Sequence, residues 1–255
     1  MRPLKTESVD RALDVAAPIF AALGLLYVFC MFVYPFHKGE WKYVHDVWKD
    51  WQSLNVGILA VVASVIAFYI SRYHENGKRE REFVAAKAFL PHALSELTGY
   101  CKSCSVVLRE AYSHLDSDAT KPKPISVPPL ILPQSLNDTF SRCIASADRE
   151  VGAYLANILI KLQINHSRLR ELQETFGRSS EQFWLPGTVM SYVYSLGELQ
   201  ALVNKIFGFA RSIEIFDSAR LNWEDFRNAY GNLGVELDEI DGLEGFTKRV
   251  IERQG

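Results

Sequence analysis

The sequence predicts an all-α protein: a two-helix transmembrane hairpin followed by a cytoplasmic helical bundle. Two uncharged apolar runs, residues 15–36 and 51–71, are each long enough to cross a membrane. A helix rises about 1.5 Å per residue, so roughly 20 residues span a hydrocarbon core about 30 Å thick. Beyond residue 72, apolar residues recur with a helical period in three long stretches. No internal repeat interrupts them, and no stretch has the alternation of a strand.

The order of segments follows. Residues 1–14 form a cytoplasmic tail, 15–36 the first span, 37–50 a short outer loop, 51–71 the second span, and 72–255 the cytoplasmic helical domain. Backbone groups in lipid must be bonded within their own segment, so both spans are expected to be helices. The first is too long for a signal-peptide core, and no small-x-small cleavage pattern follows it. Phe29 before Cys30 does not suit lipoprotein cleavage. Arg2, Lys5 and Arg11 precede the first span; Arg72, Lys78, Arg79, Arg81 and Lys87 follow the second. The loop between carries Lys38, Lys42 and Lys49, so the positive-inside rule puts both termini in the cytoplasm. Cys101, Cys104 and Cys143 then fall in a reducing compartment. The formal net charge of −2 offers no basic excess for nucleic acid.

Within the second span Gly57, Ala60, Ser64 and Ala67 recur at steps of three, four and three. Small residues on one face let helix backbones approach in lipid. The simplest use is packing against Ala17, Ala21 and Gly24 of the first span; the sharper use is contact between copies of the chain. Neither span carries a central charge, which argues against a pump or transporter. In the outer loop Trp41, Val44, Trp48 and Trp51 share one side, with Lys42, Asp46, Lys49 and Asp50 largely on the other. That pattern fits an interfacial helix, or simple aromatic anchoring, at the headgroups.

The bundle shows three apolar seams in steps of four and three. The first runs from Leu90 through Leu94, Leu97, Cys101, Cys104, Leu108 and Ala111 to Leu115. The second runs from Val151 through Leu155, Ile158, Leu162, Asn165, Leu169 and Leu172 to Phe176. The third runs from Tyr192 through Leu196, Leu199, Val203, Ile206 and Ala210 to Ile213. Helices with one apolar stripe each must bury it against one another. Pro91 is expected to bend the chain where the second span's extension meets the bundle. Five prolines among residues 116–134 mark an extended connection. Pro186 and Gly187 open the third long helix, Asn222 caps a short one that Gly231 and Gly234 end, and a last helix covers about residues 243–253.

Cys101-x-x-Cys104 has the spacing of a redox pair or half a zinc site. No second cysteine pair exists, and both thiols lie in a seam, where cysteine acts as a small hydrophobe. Asn165, the one polar residue of its seam, suits a register-fixing or partner-specifying role. The acidic cluster around Gly242 is no calcium loop, because Leu237 and Lys248 stand where ligands are needed. The Lys78, Arg79 and Arg81 run can meet anionic headgroups. No phosphate loop, nucleophile elbow or zinc-helix motif is legible, so no catalytic residue and no cofactor is assigned.

Several stretches are familiar: Trp51-Gln52-x-Leu54-x-x-Gly57-x-x-Ala60, residues 85–97 from Ala85 to Leu97, and Gln163 with residues 167–170. Together they resemble uncharacterised bacterial two-span inner-membrane proteins. The resemblance touches about a third of the chain. It implies a bacterial inner membrane and supplies no activity and no site residues. The layout is also similar to that of membrane-bound phage-defence effectors. The function expected is a membrane-anchored, self-associating helical interaction module, with the lipid bilayer, further copies of itself and a protein as partners. The alternatives are a membrane-permeabilising effector and a membrane-bound enzyme with a dispersed site.

Overall fold

The computed structural model describes residues 18, 22–37, 41–116, 123–177 and 183–254. Among the described residues every regular element is helical and none is a strand. The chain divides into two compact units, Met1–His74 and Glu75–Gly255.

In the first unit residues 22–28 are helical and lead into a π-helical turn, Phe29–Val33, continued by α1 (Tyr34–His37). Helix α2 (Trp41–Asp50) follows and is joined through Trp51 to α3 (Gln52–Lys87). The join keeps its hydrogen bonds: Trp51 N–H reaches the Val47 carbonyl at 3.1 Å, and Asn55 N–H reaches that of Trp51 at 2.9 Å. Among the described residues α3 alone is long and apolar enough to cross a membrane; the apolar helix Ala22–Met31 is shorter. The expected cytoplasmic tail and the first part of the expected first span, except residue 18, lie outside the described residues up to residue 21. The helix that carries the expected second span continues past residue 71 to Lys87.

The second unit begins in the last turns of α3. Ala88 and Phe89 form a turn, and α4 (Leu90–Asp116) starts with Pro91 in its first turn, where a missing N–H costs nothing. Residues 123–134 are extended, as the prolines require; residues 117–122 lie outside the described residues. This strap is tied down by side chains. The Glu110 carboxylate accepts from Ser126 N–H at 2.7 Å. The Gln173 amide donates to the Pro128 carbonyl at 3.0 Å and accepts from Leu130 N–H at 3.3 Å.

Then come α5 (Ser135–Ser146), α6 (Arg149–Thr175), α7 (Pro186–Ala210), α8 (Trp223–Leu233) and α9 (Leu243–Gln254). Helix α5 is absent from the sequence expectation. It is short, yet Leu136, Phe140 and Cys143 sit at steps of four and three, and all three are buried. Helix α8 has the expected cap: Asn222 and Asp225 form a reciprocal capping box, and Gly234 closes the helix with φ 68°.

The first two seams are buried, with Leu115 only partly covered. The third departs from expectation at both ends. Tyr192 is half-buried, and Ile213 is 73 % exposed because α7 has already ended at Ala210. Nor is α7 a one-stripe helix. Val189, Val193, Gln200, Ala201 and Leu202 are buried beside the seam, since α4, α6, α8 and α9 all pack on it. Its neighbours must come close, and Gly197 is where they do. A Cβ there would stand 2.5 Å from Cε1 of Tyr230, whose hydroxyl pairs with Thr247 at 2.8 Å in the buried interior. Gly197→Ala is therefore expected to destabilise the bundle by about 1–3 kcal/mol through overpacking. Gly187→Ala, where a Cβ meets nothing within 4 Å, is expected to be neutral or better. Urea unfolding of the two variants beside the parent checks this.

Candidate functional site

The candidate residues do not meet at one place among the described residues, so each is followed to its own. The apolar part of α3 comes first. Leu54, Val56, Leu59, Val61, Val62, Val65, Ile66, Phe68, Tyr69 and Ile70 are all exposed, and only 6 % of its most apolar window is buried. Full burial of such side chains is worth about 1.5–3 kcal/mol each, so leaving these ten half-exposed to water forgoes on the order of 10 kcal/mol. That is comparable with the whole stability of a typical domain, about 5–15 kcal/mol. The stretch has the length and apolarity to cross a membrane.

The small-residue face is part of it. Ala60, Ser64 and Ala67 are exposed, and a Cβ built on Gly57 meets nothing within 4 Å. Of its expected partners in the first span, Ala17 and Ala21 lie outside the described residues, and a Cβ built on Gly24 meets nothing within 4 Å. The Ser64 hydroxyl donates to the Ala60 carbonyl at 2.8 Å, which keeps it satisfied within its own helix. The tie to the preceding segment lies elsewhere: Tyr27 donates to Asn55 Oδ1 at 2.8 Å, and Asn55 is buried.

Helix α2 folds against that preceding segment. The Trp48 indole N–H donates to the Met31 carbonyl at 3.2 Å, and Trp41 meets Phe36 edge-on at 5.2 Å. Met31, Phe36, Trp41, Val44, His45 and Trp48 surround a recess of about 440 Å³. Trp41 remains 74 % exposed, and Trp51 is exposed at the join with α3. Lys42, Asp46, Lys49 and Asp50 are exposed too, so α2 keeps a polar side beside uncovered aromatics.

Cys101 and Cys104 lie fully buried in α4. Burial pushes the Cys101 thiol well up from its ordinary value and that of Cys104 up to about 12. Such thiols are neither nucleophiles nor ready ligands at neutral pH. Among the described residues no group of three or more His, Cys, Asp or Glu is placed to hold a metal. Their neighbour Tyr100 is also held protonated by burial, and its hydroxyl lies 2.7 Å from His166 Nδ1. Desolvation, then the nearby Arg170, lowers the His166 pKa and favours the neutral imidazole.

Asn165 is buried where α6 meets α7. Its amide donates to the Lys161 carbonyl at 2.9 Å and the Ser195 carbonyl at 3.4 Å. One turn away Lys161 and Glu198 pair at 2.7 Å. The side chain thus fixes α6 against α7 inside one chain and is not presented to a partner. Sequence reasoning missed its counterpart, Gln200, which is fully buried. The Gln200 amide donates to Asn204 at 2.8 Å and to the Thr98 hydroxyl at 3.4 Å. Its one signal was position: it follows Leu199 in a helix apolar on several sides.

No family model, curated protein or solved structure matches the chain.

The thiol geometry yields a direct expectation. Of the four cysteines only Cys30 is exposed, so a Cys30→Ser chain is expected to show no reaction with a small thiol reagent at pH 8 until denatured. Labelling of the native Cys30→Ser chain would contradict it.

Proposed function

We propose that the chain is a membrane-anchored helical interaction module of the bacterial inner membrane, spanning it as a two-helix hairpin with both termini in the cytoplasm. Its membrane part self-associates through the face formed by Gly57, Ala60, Ser64 and Ala67. One observation carries this reading: among the described residues the apolar stretch of α3 is exposed nearly throughout, apart from the turn at Asn55 and Ile58, and this includes the face best suited to a second helix. The basic residues following residue 71 support the orientation. The closed bundle of the second unit, with its polar pairs used internally, supports a scaffold rather than a reaction centre. The exposed Trp41 and Trp51 on and beside the polar-sided α2 favour a second reading, an effector that disturbs the bilayer from its outer surface.

Crosslinking in native membranes tests self-association. Ala60→Cys is expected to form a disulfide-linked dimer on mild oxidation, and Val62→Cys, on the opposite side of the helix, far less. Gly57→Leu added to Ala60→Cys is expected to reduce the dimer at least about fivefold, as close approach is lost. Equal yields at both positions, or no dimer at either, would refute the proposed face. The same cells report on the rival reading: expression is expected to leave the membrane potential intact, and a depolarisation abolished by Gly57→Leu would favour the effector instead.

A further inference from the structure

We infer that the loop after α7 is a second membrane contact, in which Ile213 and Ile215 enter the interfacial zone of the bilayer. The inference rests on the proposed anchoring by α3. The loop is built by an ordered helix end. Ser212 takes a left-handed conformation with φ 58°. Its N–H bonds the Phe209 carbonyl at 3.0 Å, and Ile213 N–H bonds that of Gly208 at 3.0 Å. In this helix-ending motif the residue at the Ile213 position ordinarily packs on the side chain at the Gly208 position. Glycine offers none, and Ile213 is left 73 % exposed while Ile215 is 94 % exposed.

The intervening Glu214 does not share that exposure to the same side. A Cβ on Gly208 would run into the Glu214 carboxylate, so this side chain is folded back over the end of α7. The flanks are pinned as well. Phe216 turns inward against Phe209 at 5.5 Å and Tyr154 at 5.3 Å, and Lys205 holds the Ala219 carbonyl at 2.7 Å. The two isoleucines are therefore presented by a fixed loop.

The loop also stands at a particular end of the bundle. The second unit begins at Glu75, four residues after Ser71, the last residue of the apolar run. Phe83 stacks on Phe209 at 6.4 Å, and Lys87 Nζ lies 3.8 Å from the centre of the same ring. Further along α4, Thr98 meets Gln200. Rising numbers on one side thus meet falling numbers on the other, so the C-terminal end of α7 points toward the end where the chain comes in. Arg79 marks that end too, donating to the Ser146 carbonyl at 3.1 Å, and Glu150 bonds Ser218 there. Arg211, at the end of α7 and two residues before Ile213, lies over the Phe207 ring at 5.0 Å. Exposed apolar side chains flanked by a basic residue suit the headgroup boundary.

The test uses the full chain with Cys30→Ser, reconstituted in vesicles of phosphatidylethanolamine and phosphatidylglycerol. A nitroxide is placed in turn at Ile215→Cys, at Val62→Cys in the apolar part of α3, and at Ile160→Cys, exposed on α6. Collisions with oxygen and with a water-soluble nickel chelate are measured. Positions 215 and 62 are expected to favour oxygen, and position 160 the chelate. A water-like position 215 beside a lipid-like position 62 overturns the loop contact alone. Shielding of position 215 from both reagents means that protein covers it, and this also overturns the inference. A water-like position 62 overturns the anchoring itself, and the loop contact with it.

Discussion

Between Gln52 and Lys87 the hydrogen-bond ladder of α3 is continuous, while the side chains it carries change from apolar on every face to charged and then to core-forming. Among the described residues the first stretch is exposed nearly throughout, and the last turns bring Phe83 and Ala86 into the bundle. A helix can satisfy its backbone in any medium, but its side chains fix which medium each part can occupy. The forgone burial along the first stretch, on the order of 10 kcal/mol, is as large as a domain's net stability. Everything proposed for the chain follows from that surface needing lipid or another helix.

The bundle meets the same requirement internally. Helix α7 is surrounded, so it tolerates no bulk at Gly197 and needs hydrogen bonds wherever it carries a polar group. Asn165 reaches the Ser195 carbonyl of α7 from α6, and the Gln200 amide reaches Thr98 of α4, although Gln200 Oε1 is buried without a partner. Such groups make a helix pairing specific because a shifted register would leave them unpaired in a buried site. The same reasoning separates the cysteines from chemistry. A thiol buried in the core beside Tyr100 cannot readily ionise, whatever its spacing suggests.

Helix type and the first two seams were legible in the sequence because period alone decides them: Leu90, Leu94, Leu97, Leu155 and Ile158 all turn inward. The Asn222 cap and the left-handed Gly234 were legible because few residues suit those positions. Helix α5 was not, since its buried stripe is short and its Cys143 reads as a weak signal. Ile213 continued a seam numerically but lies beyond a helix end made by Ser212, a residue that does not announce a left-handed turn as glycine does. The internal use of Asn165 was half-legible: its seam position said buried, while its acceptor, the Ser195 carbonyl, belongs to another helix and has no sequence signature.

The claim on which the rest depends is that residues 52–71 of α3 lie in a bilayer. Amide hydrogen exchange of the full chain in lipid nanodiscs addresses it most directly, with the exposed Lys123 and Ile131 of the strap as an internal reference. Amides of residues 56–68 are expected to stay unexchanged for hours, long after the unpaired amides of the strap have exchanged. Exchange of residues 56–68 on the timescale of the strap would show a helix open to water and would contradict the account.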